Sequence, residues 1–262
     1  FAGEHLIAMC DGMGGHAAGE VASSIAVETI AKTAPQSADA ARLAAAVEAA
    51  NAAVIEAALN GLGKPGMGCT ATCAYIENDT LAIAHVGDSR AYLLHEGTLI
   101  RVTRDHSYVE ELVDAGEITA DEARVHPNRS VITRALGSDP AMYADHFTLH
   151  IEEGDRLILC SDGLSSMIPD SDIENIATQS STAQICVDNL VDAALAAGGH
   201  DNVTVVVVDL VDDGVMREAQ RVRRRNVTIA AILALVFVLA AGIWAYTGVT
   251  GSYYLGTYQG NV

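Results

Sequence analysis

The sequence predicts an α+β fold of antiparallel sheets with helices layered outside, followed by one transmembrane helix. Three observations carry this. Apolar strand-like runs meander without strict alternation with helices, which favours antiparallel pairing. Two long alanine-rich stretches near the start have helical propensity. A run of 23 residues, 227–249, contains no charge at all. The 262 residues suffice for one core of roughly 200 residues. Half of the chain is hydrophobic and its mean hydropathy is +0.24, high for an ordinary water-soluble enzyme.

Taken in order, a first strand is expected at 5–10, and helices follow at 19–32 and 38–60. Strands at 69–77, 80–86 and 90–95 form a meander, with Gly87-Asp88 and Glu96-Gly97 as its turns. A helix at 108–115 sits in an insertion or flap, 104–137, that mixes acids, His and Arg between two strands. Strands at 147–151 and 156–160, helices at 170–177 and 182–197, and a last strand at 203–210 complete the body.

Charge divides the chain. Residues 1–210 hold 31 acids against 10 Lys and Arg, a balance of −21, while five arginines crowd between Arg217 and Arg225. So acidic a body excludes general nucleic-acid binding, which needs a basic footprint. The run at 227–249 is long enough, at about 1.5 Å per residue, to cross a hydrocarbon layer of roughly 30 Å. Trp244 and Tyr246 suit an interfacial belt, and the arginines at 221–225 place the body on the cytoplasmic side. The expected organisation is a folded domain at 1–210, a basic juxtamembrane linker at 211–226, a span at 227–249 and the start of an extracytoplasmic region at 250–262. The expected location is the inner (plasma) membrane, single-pass, with anionic lipids against the Arg221–Arg225 collar. The five cysteines are odd in number and sit mostly in apolar runs, which reads as reduced core thiols. Cys69 and Cys73 lack a second pair of zinc ligands.

Two segments share one grammar. HLIAMC runs into Asp11-Gly12, and RLILCS runs into Asp162-Gly163. Each puts a carboxylate where an apolar strand leaves the core and lets a glycine turn the backbone. A single Asp-Gly is most often an ordinary turn. With Asp88 in HVGDSR and Asp201 in HDNVTVVVVD, four such carboxylates offer an oxygen-rich site for a hard cation, provided the fold brings them together. The run DGMGGHAAGE is neither a Walker loop, lacking the terminal Gly-Lys-Ser/Thr, nor a good dinucleotide fingerprint. Asn202 reads as a loop-fixing or water-holding residue, or simply a turn asparagine. His126 either faces the cleft or braces a turn. His146 and His150 are four apart, but the strand-like residues between them argue against a helical zinc pair.

Seven runs then occur in order: DGMGGHAAGEVAS (11–23), GMGCTATCAYI (66–76), AHVGDSRAYLL (84–94), TRDHSYVEELVDAGEIT (103–119), HPNRSVITRALG (126–137), LILCSDGL (157–164) and HDNVTVVVVD (200–209). Together they resemble the PPM family, the metal-dependent phosphatases related to protein phosphatase 2C, over about residues 3–210. The collar and span add a likeness to the actinobacterial transmembrane members, which oppose membrane serine/threonine kinases. The resemblance implies a four-layer α-β-β-α sandwich of two antiparallel sheets flanked by helices, with metals in a cleft at one edge. It implies two catalytic Mn²⁺ or Mg²⁺ ions, with Asp11 bridging them, the Gly12 carbonyl on the first and Asp162 and Asp201 on the second. Asp88, sharing Asp162, would hold a third, weaker ion, with a backbone oxygen from Ser130. The implied chemistry is hydrolysis of phosphoserine and phosphothreonine by a hydroxide bridging the two ions, with phosphorylated proteins, kinases among them, as partners. The histidine that some eukaryotic members carry in the first metal loop is Met13 here, so no general acid transfers, and His16 reads as structural. The family also opens with Arg-x-x-Asn-x-Asp, which FAGEHL does not contain. The domain is therefore expected to be truncated at its N-terminus, without that phosphate-binding Arg and that Asp. A catalytically weak phosphoprotein-binding or signal-relay module is the alternative.

Overall fold

The computed structural model describes residues 1–211. From residue 212 on, the expected collar and span, and the tail after them, lie outside the described residues. Among the described residues no helix is long and apolar enough to cross a membrane.

The chain opens with strand β1 (Leu6–Met9), a two-residue strand β2 (Gly12–Met13), and helices α1 (His16–Thr33) and α2 (Ala40–Leu59). Strands β3 (Gly68–Cys69), β4 (Ala71–Glu77), β5 (Thr80–Val86), β6 (Arg90–His95) and β7 (Thr98–Arg101) follow. The flap carries α3 (Tyr108–Asp114) and α4 (Ala120–Val125). Then come β8 (Asp145–His150), β9 (Arg156–Cys160), α5 (Asp162–Ser165), α6 (Asp170–Gln179), α7 (Ala183–Ala196) and β10 (Val205–Asp209). One sheet has the order β1-β4-β5-β8 and the other β10-β9-β6-β7, and every pairing is antiparallel.

Successive side chains on a strand point to opposite faces, so a strand buried on both sides must be apolar throughout. β5 and β9 follow this except at Thr80, His85 and Arg156, and their apolar residues sort by parity. Leu81, Ile83, Leu157 and Leu159 meet Ile7, Met9, Ala91 and Leu93 in the layer between the sheets. Ala82, Ala84 and Val86 face the opposite way, onto α1 and α2 through Ile30, Leu43, Val47 and Val54. Ile158, Cys160, Tyr92 and Leu94 face α6 and α7 through Ile173, Ala177, Cys186 and Leu190. Three apolar layers thus separate four structural ones, helices, sheet, sheet, helices. This is the four-layer sandwich that the resemblance implies.

Four local departures from the sequence reading have physical causes. The strand expected at 69–77 breaks at Thr70, because its N–H donates to the Asp11 carbonyl (2.8 Å) instead of to a strand ladder. The Glu96-Gly97 turn, with φ of 48° and 79°, returns as β7 and makes a hairpin with β6. Helix α4 buries no residue and therefore lacks apolar periodicity, yet Thr119 and Glu122 close a reciprocal capping box at its start. β8 starts at Asp145, two residues earlier than expected, with Asp145 opposite His85.

Buried Asn51 ties α2 to the end of the flap. Its Nδ2 donates to the Asp139 carbonyl (2.8 Å) and its Oδ1 accepts from the Gly137 N–H (2.7 Å). Replacing it with leucine leaves two inward backbone groups unpaired. We expect Asn51→Leu to cost about 2–4 kcal/mol, read as a lower midpoint in urea or thermal unfolding, with circular dichroism of the folded state unchanged.

Candidate metal centre

The strand registers bring the four predicted carboxylates to one end of the sandwich. β1 and β5 both pair antiparallel with β4, so they run in the same direction and Asp11 and Asp88 leave the first sheet at the same end. In the second sheet both Arg90 and Val205 lie opposite Cys160. That places Asp88, Asp162 and the loop holding Asp201 around the exit of β9. Asp11 lies within electrostatic reach of Asp162 and Asp201.

Hydrogen bonds fix each loop. The Asp11 N–H donates to Thr70 Oγ1 (3.0 Å), which in turn bonds Ser89 Oγ (2.8 Å), so the loops of Asp11 and Asp88 are bolted to one threonine. Ser161 Oγ donates to the Asn202 carbonyl (3.2 Å) and accepts from the Thr204 N–H (3.0 Å), pinning the loop of Asp201 beside Asp162. Asn202 contributes through its backbone, and its own N–H bonds Asp201 Oδ1 (2.7 Å). Two glycines permit these close approaches. A Cβ on Gly12 would stand 2.2 Å from the Gly19 carbonyl oxygen, and one on Gly163 would stand 2.3 Å from that of Asn202.

The electrostatics record crowding. Burial, then the charges of Asp162 and Asp201, push the Asp11 carboxyl up to about 6. Burial, then Asp162 and Asp105, push Asp88 up to about 7. Asp162 is raised as well, first by burial and then by Asp201. Carboxylates held this close retain protons unless a cation replaces them. All-oxygen donors suit hard divalent ions, so the residues present fit Mg²⁺ or Mn²⁺. Among the described residues no three His, Cys, Asp or Glu side chains stand close enough to hold an ion by themselves.

Asp88, Asp162 and Asp201 line a cleft of about 380 Å³. Ser130 lies on its flap wall, while Gly12 and Asp11 are not among its lining residues. Arg90, Arg101, Arg124 and Arg129 also line it. Arg90 makes a three-bond contact with buried Asp105 (2.7–3.0 Å). Asp105 and buried His106 were legible only as part of the RDHS run, with no role attached. His126 braces its turn, its Nδ1 accepting from the Asn128 N–H (3.1 Å). His146 and His150 project from strand β8, not from a helix. All five cysteines are free thiols. Burial pushes Cys160 up to about 12, which makes it a poor nucleophile.

Residues 3–203 match the family described as Protein phosphatase 2C. The chain belongs to that family. It is 43% identical over 218 residues to the serine/threonine protein phosphatase PstP of Mycobacterium tuberculosis, covering 81% of this chain and 41% of the relative. The chain therefore spans about two fifths of that relative's length. The serine/threonine phosphatase stp of Listeria monocytogenes is 36% identical over 211 residues, 78% of this chain and 84% of the relative. A solved structure of the catalytic domain of PstP, in complex with two manganese ions, superposes with a TM-score of 0.74 at 40% identity, over 81% of this chain and 90% of that one.

The raised carboxyls make a signed prediction for the metal-free family fold. A carboxyl whose folded pKa lies above its unfolded value stabilises the fold at low pH and loses that contribution as pH rises through the folded value. Lowering pH from about 8 to about 6.5 should therefore stabilise the chelator-treated protein by about 1 kcal/mol, most of it from Asp88. Thermal melts should show the trend, and Asp88→Asn should flatten it.

Proposed function

We propose that the chain is a metal-dependent protein-serine/threonine phosphatase that hydrolyses phosphoserine and phosphothreonine in proteins. The observation that carries this reading is the convergence of Asp11, Asp88, Asp162 and Asp201, from four separate loops, on one end of the sandwich, where the last three line a cleft shared with four arginines. Asp11, the Gly12 carbonyl, Asp162 and Asp201 are assigned to two catalytic Mn²⁺ or Mg²⁺ ions. Asp88, Asp162 and Ser130 are assigned to a third, weaker one. Such cations keep several waters, so a donor set spread over separate loops suffices. When bound, the ions supply an acidified water for attack and neutralise charge on the phosphoryl oxygens.

The chain's own residues set positions. Thr70 and Ser89 hold two carboxylate loops at fixed spacing, and Ser161 holds the other two. Correct placement of reacting groups is worth several kcal/mol of barrier. Four arginines on the cleft wall offer donors to a phosphate ester, and cations on the carboxylates that share the lining would supply the rest of the positive charge. The buried thiols Cys69, Cys73 and Cys160 take no part, since burial raises all three away from the thiolate form. With a chelator, hydrolysis of a phosphothreonine peptide should stop. With Mn²⁺, Asp162→Asn and Asp201→Asn should each lower turnover on the order of a hundredfold or more. Undiminished rates in both variants would sink the assignment.

The proposal extends to location. The charge-free run at 227–249 behind five arginines supports a single span with the phosphatase domain at the cytoplasmic face of the inner membrane, opposing membrane serine/threonine kinases there. Each arginine of the collar attracts anionic headgroups by about 1 kcal/mol. Protease added to intact cells should leave 1–210 untouched, and Gln at positions 221, 223, 224 and 225 should weaken the orientation.

A further inference from the structure

We infer that His106 is the positioning residue that sets the Asp88 turn, and that Asp145 fixes the tautomer it needs. The inference rests on the assignment of Asp88 to the metal site. His106 is buried and grips the glycine before Asp88 twice. Its backbone N–H donates to the Gly87 carbonyl (2.7 Å), and its ring Nδ1 accepts from the Gly87 N–H (3.0 Å). The other side of the turn has no slack. Gly87 stands at φ +111°, and a Cβ there would lie 2.6 Å from the Thr70 side chain.

Nδ1 accepts a hydrogen bond only while it carries no proton. On the far edge of the ring, Nε2 lies 3.0 Å from Asp145 Oδ2, an acceptor that keeps the ring proton on Nε2. Asp145 is itself held, its Oδ1 taking Arg134 Nη1 (2.6 Å), and the Arg134 guanidinium sits 4.1 Å over the Tyr143 ring. His85 stacks on the His106 ring (5.1 Å) and donates from Nε2 to the Arg104 carbonyl (3.1 Å). Arg90 grips Asp105, the neighbour of His106, from the opposite direction. The Asp105–His106 pair is thus clamped on both sides, and the Gly87–Asp88 turn hangs from it. A chain of bonds runs from the exposed edge of β8 to a cleft carboxylate.

Asparagine and glutamine separate the two ring nitrogens. The amide oxygen of an asparagine reaches the place of Nδ1, whereas a glutamine reaches the place of Nε2 and leaves the Gly87 N–H without an acceptor. The full chain is compared as wild type, His106→Asn, His106→Gln, Asp145→Ala and Asp88→Asn. Amide exchange at Gly87 and Mn²⁺ binding by calorimetry are measured together with kcat and KM for a phosphopeptide. We expect His106→Gln to speed Gly87 exchange and to weaken Mn²⁺ at the site lost in Asp88→Asn by about tenfold, with peptide KM little changed. His106→Asn should stay within about threefold of wild type, and Asp145→Ala should fall between the two. Asp145 is partly exposed, so its replacement keeps the test alive should His106→Gln not fold. Equal loss in the Asn and Gln variants, or unchanged Gly87 exchange in Asp145→Ala, overturns the inference. Asp88→Asn that leaves Mn²⁺ binding intact overturns the ligand assignment, and the positioning role with it, even where Gly87 exchange follows the expected order.

Discussion

Four carboxylates of like charge converge on one end of the sandwich, and the rest of the structure is arranged to withstand their repulsion. Two unit charges 4 Å apart repel by about 4 kcal/mol at an effective dielectric of 20. Native stability is itself only about 5–15 kcal/mol, so the cluster strains the fold that carries it. Raised affinity for protons at Asp11, Asp88 and Asp162 is the form this strain takes without cations. Cations at the same place convert the liability into binding energy. The three apolar layers of the sandwich supply the reserve that lets the carboxylates be held apart from water and close to one another.

That arrangement also explains why the anchoring residues are small and hydroxylated. Thr70 serves the Asp11 loop through its N–H and its hydroxyl, and the same hydroxyl reaches Ser89 across the start of the second sheet. The turn that carries Asp88 is the direct link between β5 of one sheet and β6 of the other. Motion of one sheet against the other would open the cluster at this turn. Arg90, just beyond it, spends its guanidinium on Asp105, Tyr92 and Asp170 and so ties the turn to the flap's base and to α6.

Most of this was legible in the sequence because it depends on local pattern. β5, β6 and β9 are apolar runs bounded by turn residues, and their limits were read without error. The carboxylates stood out because each follows or precedes such a run. Elements whose stability comes from elsewhere were not legible. β7 has one residue facing the core side and depends on its hairpin partner, and α4 has no buried residue to mark a period. The roles of Thr70, Asp105 and His106 were hidden for a different reason. Each acts through a partner at least fifteen residues away, Asp11, Arg90 and Gly87 in turn, and one sequence carries no record of such distances.

The charge pattern is resolved by the same cleft. A body with a balance of −21 repels a phosphate ester at long range, but ions at physiological strength screen charges beyond about 8 Å. What the proposed phosphate substrate would meet is therefore the local set of groups. Of the cleft arginines, Arg90 and Arg101 are spent on Asp105 and Glu110. Among the described residues the Arg124 side chain donates only to the Met167 carbonyl, and Arg129 makes no ion pair. Two positive charges on the flap side thus remain uncompensated opposite a carboxylate floor that calls for cations. The acidic surface discourages weak, indiscriminate contacts with anionic partners, and in the cleft itself seven carboxylates face four arginines, so the proposed phosphate ester is accommodated only where cations offset that floor.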